Sequence, residues 1–366
     1  MIYFFRVGLY ISYIRGMRYT FFFVVAFAAL QAFGASSMDN CLFNGRWEIT
    51  ADRARTSAPA ATVQFIASAK SLSFDLEGTS RWRLDVDGTP KEYFVTGDER
   101  TVKVVKGLDG EKHRYRLIKI SETNPGFVSL YKVSLDKGGQ FFEKPAAPAR
   151  RIEFIGDSFT VGFGCEGGPG DSPDLEFEKT NSSLSYAFLL ADGFKADFQV
   201  NAFSGRGLVR NYANIVPEWT IEKLYRYTVP GAAPSESDAA LYDMGSFHPQ
   251  VVVLFIGIND FQGEPPYADK GKFKKAYADF LDKLRAAHPG VKFLLVSTRV
   301  WPNDDLTPTV KAIYDSQVAS GRSDLEFLAI QTENSALLGH PSVHSHREMA
   351  NTMRPIVAKL AKWLSR

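Results

Sequence analysis

Cysteine is nearly absent. Cys41 and Cys165 are the only two in 366 residues, too few for a disulfide framework, and whether they pair stays open. An excess of charge of one sign is lacking as well: 43 basic residues face 41 acidic ones, a formal net charge of +2, which leaves no electrostatic argument for a nucleic-acid partner. Long apolar runs are scarce. The one at the front, Phe21 to Leu30, is short for a stable membrane span. Met17-Arg18 precedes it and Ala32-Phe33-Gly34 follows, so residues 1–34 read as a signal peptide with a charged start, an apolar middle and a small-residue exit. The expectation is a secreted or periplasmic protein with no stable membrane anchor.

What is present divides into two patterns. From about Cys41 to Glu143, apolar residues recur at period two: Leu72, Phe74 and Leu76; Trp82, Leu84 and Val86 ahead of an Asp87-Gly88 turn; then Tyr115 and Leu117. This alternation predicts an all-β sandwich over residues 35–146. Pro145-Ala146-Ala147-Pro148-Ala149 reads as a short stiff connector. Over residues 150–366, buried strands such as Val251 to Ile256 and Val291 to Val296 alternate with helical faces, which predicts a parallel sheet. Phe273, Ala276, Tyr277, Phe280, Leu281 and Leu284 form one such face, and Met349 to Leu364 reads as a closing helix interrupted by Pro355.

The chemistry sits at strand ends. In Arg151-Ile152-Glu153-Phe154-Ile155-Gly156-Asp157-Ser158 an apolar strand breaks into a glycine turn. A serine there stands at the sheet's carboxyl edge beside helix-start N–H groups, where a nucleophile and its oxyanion donors belong. Gly-Asp-Ser alone is weak evidence, so partners matter. Ser204-Gly205-Arg206-Gly207 offers the Gly205 N–H as an oxyanion donor; Gly257-Ile258-Asn259-Asp260, after the buried strand, offers the Asn259 amide; Gly339-His340-Pro341 places an imidazole before the last helix. Ser158 is then the nucleophile and His340 the base, with the Ser158 N–H completing the oxyanion donors. Phe261 and Trp301 are the first choices for stacking on a sugar face, with Tyr212 and Trp219 behind them. His344 and His346 beside His340 invite a metal reading, but no acidic or cysteine ligands stand at matching spacing, so neither a metal nor a cofactor is expected. His113, His248 and His288 read as surface or turn residues, and Asp157 and Asp260 as loop braces.

These four blocks, in this order, resemble those of the SGNH (GDSL-like) hydrolases. Arg210-Asn211-Tyr212, Leu224-Tyr225, Tyr242-Asp243, His340-Pro341-Ser342, His346 and Met349-Ala350 are similar to carbohydrate esterase family 2. The resemblance implies a flavodoxin-like α/β hydrolase domain preceded by a small β-jelly-roll, removing acetyl groups from plant polysaccharides or oligosaccharides. It also implies a structural role for His346. A lipase or thioesterase on the same scaffold and a non-catalytic carbohydrate-binding protein are the alternatives. One departure bears on mechanism. The family's usual Asp, two or three residues before the histidine, is replaced by Leu338 and Leu337. A Ser-His dyad oriented by a backbone carbonyl is the expectation, with Glu333, Asp304 or Asp305 as substitute acids.

Overall fold

A computed structural model describes residues 37–123 and 125–363; the leader read over residues 1–34 lies outside the described residues. The front of the chain gives eleven strands: β1 (Leu42–Asn44), β2 (Glu48–Ile49), β3 (Ala54–Thr56), β4 (Thr62–Ser68), β5 (Ser71–Glu77), β6 (Ser80–Val86), β7 (Thr89–Thr96), β8 (Thr101–Lys106), β9 (Lys112–Lys119), β10 (Val128–Leu135) and β11 (Gln140–Phe141). They pair antiparallel in two sheets, β1-β4-β9-β6-β7 with β11 beside β4, and β2-β3-β10-β5-β8. The period-two residues do what alternation dictates: Leu72, Phe74, Leu76, Trp82, Leu84, Tyr115 and Leu117 are buried together between the sheets. Asp87 and Gly88 both take positive φ, 50° and 84°, the tight turn that joins β6 to β7.

The rest is an α/β unit. Its strands are β12 (Arg151–Gly156), β13 (Asp197–Ala202), β14 (Val251–Phe255), β15 (Lys292–Ser297) and β16 (Leu325–Ala329). Its helices are α1 (Ser158–Val161), α2 (Glu176–Lys179), α3 (Tyr186–Phe194), α4 (Ile221–Tyr225), α5 (Ile258–Phe261), α6 (Lys270–Ala287), α7 (Leu306–Ala319) and α8 (Val343–Ala361). All five strands are parallel, in the order β13-β12-β14-β15-β16. This is the flavodoxin-like order, and the strand sequence reverses between β12 and β14, where open α/β sheets bind ligands beyond their carboxyl ends. Helix α8 runs unbroken through Pro355, against the interruption expected from sequence. Pro355 is exposed while Met349, Ala350, Met353 and Val357 are buried. Packing of that face offsets the lost backbone bond, which costs about 3 kcal/mol in a helix interior.

The sandwich seats directly on the β13 edge of the parallel sheet. Asn44 donates to Asp197 at 2.7 Å, the Gly45 N–H to the Phe198 carbonyl at 3.0 Å, and Arg83 to the Ser183 hydroxyl at 2.8 Å. At the centre of this seam the fully buried Arg46 lies between the rings of Tyr225 and Tyr242, 4.1 and 3.7 Å from their centroids, and meets Glu153 of β12 at 3.4 Å. Tyr225 and Asn201 also donate to Glu153, at 2.8 and 2.6 Å. Burial pushes the Glu153 carboxyl up, and Arg46 opposes that.

Candidate active site

Strand β12 delivers Ser158 to the switch point, and local chemistry explains how. Gly156 has no room for a side chain: a Cβ there would run into Thr160. Asp157 caps α1, its carboxylate accepting the Phe159 N–H at 3.1 Å. Ser158 is therefore the first residue of a helix, and its N–H has no acceptor among the described residues.

His340 arrives from the other end of the chain. Its Nε2 is 2.9 Å from Ser158 Oγ, and its Nδ1 is 3.1 Å from the Leu337 carbonyl. The loop carrying it is pinned by backbone bonds: the Leu337 N–H donates to the Gly164 carbonyl at 3.4 Å, and the Val343 N–H to that of Cys165 at 3.2 Å. Leu338, at φ 52° and largely exposed, makes the bend that turns the Leu337 carbonyl to the ring. The rings of Phe163 and Phe159 flank the imidazole at 4.4 and 5.5 Å. This desolvation pulls the His340 pKa down to about 4.

Gly205 takes φ 74°, the glycine position of a type II turn closed by the Arg206 N–H bond to the Phe203 carbonyl at 3.2 Å. Neighbouring groups along this turn are tied: the Ser204 N–H to Glu122 at 2.8 Å, the Gly207 N–H to Asn211 at 3.1 Å, and the Arg206 carbonyl to the Asn259 amide at 2.9 Å. The Gly205 N–H has no acceptor among the described residues. Asn259 Nδ2 also lies 3.3 Å from Asp157 Oδ2, so both of its N–H groups are engaged within the protein.

Asp157 and Asp260 brace loops. Asp260 accepts the Leu208, Val209 and Arg210 N–H groups at 2.8, 2.8 and 3.0 Å. Burial raises Asp157 to about 8 and Asp260 to about 6. Arg210 fastens the next loop through the Asn259 and Gln262 carbonyls, at 2.8 and 3.2 Å. The roles of Arg210 and Asn211 went unread in the sequence, although both lie in a quoted motif.

One expectation needs correction, and others can be placed. Phe261 is 1% exposed and packs on Phe273, ring centroids 5.0 Å apart; it belongs to the core and cannot stack on a sugar. Trp301 is 60% exposed in the loop after β15, with the Arg299 guanidinium 4.4 Å from its ring. His288 lies at the turn after α6, as one of the two sequence alternatives had it, and is buried there edge-on to His248; burial lowers it to about 4. The two cysteines are separate buried thiols, both pushed up to about 12 by burial. Of the acids considered for His340, Asp305 pairs with Lys270 at 2.5 Å, Asp304 caps the Thr307 N–H at 3.2 Å, and Glu333 is exposed. No group of three or more histidine, cysteine or acidic residues among the described residues is placed to hold a metal. No helix there is long and apolar enough to cross a membrane.

Comparison with known proteins falls on both halves. Residues 154–341 match the GDSL-like Lipase/Acylhydrolase family, and residues 43–145 match the Carbohydrate esterase 2 N-terminal domain. Over 336 residues the chain is 30% identical to the Cellulase/esterase CelE of Acetivibrio thermocellus, a match covering 88% of this chain and 40% of that protein. Over 259 residues it is 30% identical to an Acetylxylan esterase / glucomannan deacetylase of Cellvibrio japonicus, covering 68% of this chain and 70% of the relative. The chain thus spans well under half of the first relative's length. A solved family two carbohydrate esterase from Clostridium thermocellum, in complex with cellohexaose, superposes with a TM-score of 0.80 at 27% identity, covering 88% of this chain and 100% of that one. Both halves and the fold point to one class, the carboxylic ester hydrolases. The chain belongs to the GDSL-like lipase/acylhydrolase family, within its carbohydrate esterase 2 branch.

Proposed function

We propose that this protein is a secreted carbohydrate O-acetyl esterase, acting on plant cell-wall polysaccharide or oligosaccharide through a Ser158-His340 dyad and an acetyl-enzyme. The observation that carries the reading is the chain of contacts from Ser158 Oγ to His340 Nε2, 2.9 Å, and from Nδ1 to the Leu337 carbonyl, 3.1 Å. A carbonyl accepts the Nδ1–H and so leaves the lone pair on Nε2, aimed at the serine hydroxyl. Ser158 Oγ attacks the acetyl carbon as its proton passes to His340 Nε2. That proton then goes to the sugar oxygen as the C–O bond breaks. Water repeats the sequence, with His340 taking its proton and Ser158 leaving, and acetate is released.

The oxyanion would take the Ser158 and Gly205 N–H groups, which have no acceptor among the described residues. Asn259 serves as a third donor by exchanging its 3.3 Å contact with Asp157 for the oxyanion while its shorter bond to Arg206 holds the turn. Each such donor contributes about 3 kcal/mol to the transition state. The low pKa of His340, about 4, keeps it neutral at physiological pH, and the oxyanion forming beside it favours the imidazolium at the moment of transfer. The acetyl-sugar substrate is supported by the activities named for the relatives, acetylxylan esterase and glucomannan deacetylase. Trp301, exposed beyond β15, offers a ring for a sugar. Secretion rests on the leader pattern of residues 17–34.

Acetate release from acetylated xylan and glucomannan, alongside nitrophenyl esters of short and long acids, tests the reading. Acetyl preference is expected, with turnover lost in Ser158→Ala. Preference for long acyl chains would move the protein to the lipase or thioesterase class. Oligosaccharide binding without acetate release would make it a non-catalytic binder.

A further inference from the structure

Resting on that reading, we infer that Glu122, a residue of the β-sandwich, is a positioning residue for the oxyanion site of the other domain. It lies in the connection between β9 and β10, and its carboxylate accepts the Ser204 N–H at 2.8 Å. The peptide that begins at that bond ends at the Gly205 nitrogen. Rotation about the Ser204 and Gly205 backbone therefore redirects the one N–H in the turn that has no acceptor among the described residues. Asn259 holds the far side of the turn through the Arg206 carbonyl and Asn211 holds the Gly207 N–H. Glu122 is the only one of these three anchors supplied by the sandwich.

Described residues on either side of Glu122 are tied to the rest of the protein. Lys119, buried at the end of β9, donates to the Ser121 carbonyl at 2.6 Å, and the Ile120 carbonyl accepts the Ser182 N–H at 2.8 Å. Past Glu122, the Gly126 N–H donates to the Gly231 carbonyl at 2.8 Å, and the Gly231 N–H returns to the Ser57 hydroxyl at 2.9 Å. Gly231 is pressed so close to this connection that a Cβ would meet the Gly126 carbonyl. Anchors therefore stand on both sides of Glu122, at residues 119–121 and at Gly126. Burial raises its carboxyl, and the Ser204 bond and the buried Lys119 oppose that. A shift of about 1 Å in a donor is enough to cost about 100-fold in rate.

The test uses the full chain and nitrophenyl acetate, which avoids dependence on the sugar. Glu122→Met fills the same space without an acceptor, Glu122→Asp keeps the carboxyl group but withdraws it, and Glu122→Gln keeps an oxygen at the same reach. The Met and Asp variants should lose about 10- to 100-fold in kcat with KM within about twofold, and the Gln variant should stay within about threefold of wild type. If Met prevents folding, Asp against Gln decides. Wild-type kcat in the Met or Asp variant, with only a lowered Tm, would reduce Glu122 to domain glue and overturn the inference. So would a Gln variant that loses as much as Asp. Ser158→Ala separates the two ideas: if it still turns over, the esterase mechanism fails, whereas a dead Ser158→Ala beside an unimpaired Glu122→Asp sinks only the positioning role.

Discussion

His340 and His346 are the same side chain, six residues apart, and each is desolvated enough to pull its pKa well below the usual value, to about 4 and about 3. Their surroundings differ in what faces each nitrogen. His340 sits on the loop before α8, with Nδ1 toward the Leu337 carbonyl and Nε2 toward the Ser158 hydroxyl. His346 lies inside the first turns of α8, fully buried and stacked on Tyr186, and its Nδ1 accepts the Tyr186 N–H at 3.2 Å. A carbonyl on Nδ1 makes Nε2 the acceptor of a proton; an N–H on Nδ1 makes the ring a tie between α8 and α3. Depressed pKa therefore does not separate base from brace here, and the identity of the Nδ1 neighbour does.

The largest effect expected from breaking this contrast is on His340. Replacing it by Ala should lower kcat for nitrophenyl acetate by on the order of 10⁴-fold or more while leaving Tm nearly unchanged. His346→Ala should do the reverse, lowering stability by about 3 kcal/mol through a cavity and an orphaned Tyr186 N–H, with the folded fraction keeping kcat within about tenfold. Chemical denaturation with parallel rate measurements reads both.

pH sharpens the contrast. His340 must be neutral to act, so kcat/KM should rise with pH through about 4, well below the value of about 6.5 at which an unperturbed imidazole titrates. His346 has its folded pKa depressed, to about 3, so its contribution to stability is complete above the unfolded value of about 6.5 and is lost as pH falls toward the folded one. Initial rates after a pH jump separate the two. An acid limb near 6.5 would show that His340 is not desolvated in the working enzyme. Smallest of all should be the side chains that a carbonyl-oriented dyad does not use. Glu333→Gln, Asp304→Asn, Asp305→Asn and Leu338→Ala should each change kcat by less than about tenfold, about 1.4 kcal/mol. A fall near 10⁴-fold in any of the three acids would identify a relocated third member.

The same contrast marks what could be read from sequence. The placement of Ser158, Gly205, Asn259 and His340 was legible because each follows a strand or precedes a helix whose pattern is local, and the parallel order brings those ends to one edge. The alternating strands of the sandwich were legible for the same reason. Side-chain direction within a short helix was not: Phe261 follows Asn259 by two residues in α5 yet turns into the core against Phe273. His288 sits at the turn the sequence allowed, but its burial there is a matter of tertiary packing that no local pattern shows. Glu122 and Arg46 carry no motif at all. Their partners, Ser204 and Glu153, lie 82 and 107 residues away, and only the docking of the sandwich brings them together.

Arg46 has a consequence for how such chains can be recombined. Grafting on a sandwich that covers the same seam without an arginine at this point would leave Glu153 of β12 buried with its ionic partner missing, a defect of about 3–5 kcal/mol when one member of a buried pair is removed. The front domain is therefore not an interchangeable cassette. A grafted sandwich that keeps full stability is expected to bring a cation to Glu153 or to come with a neutral residue in its place.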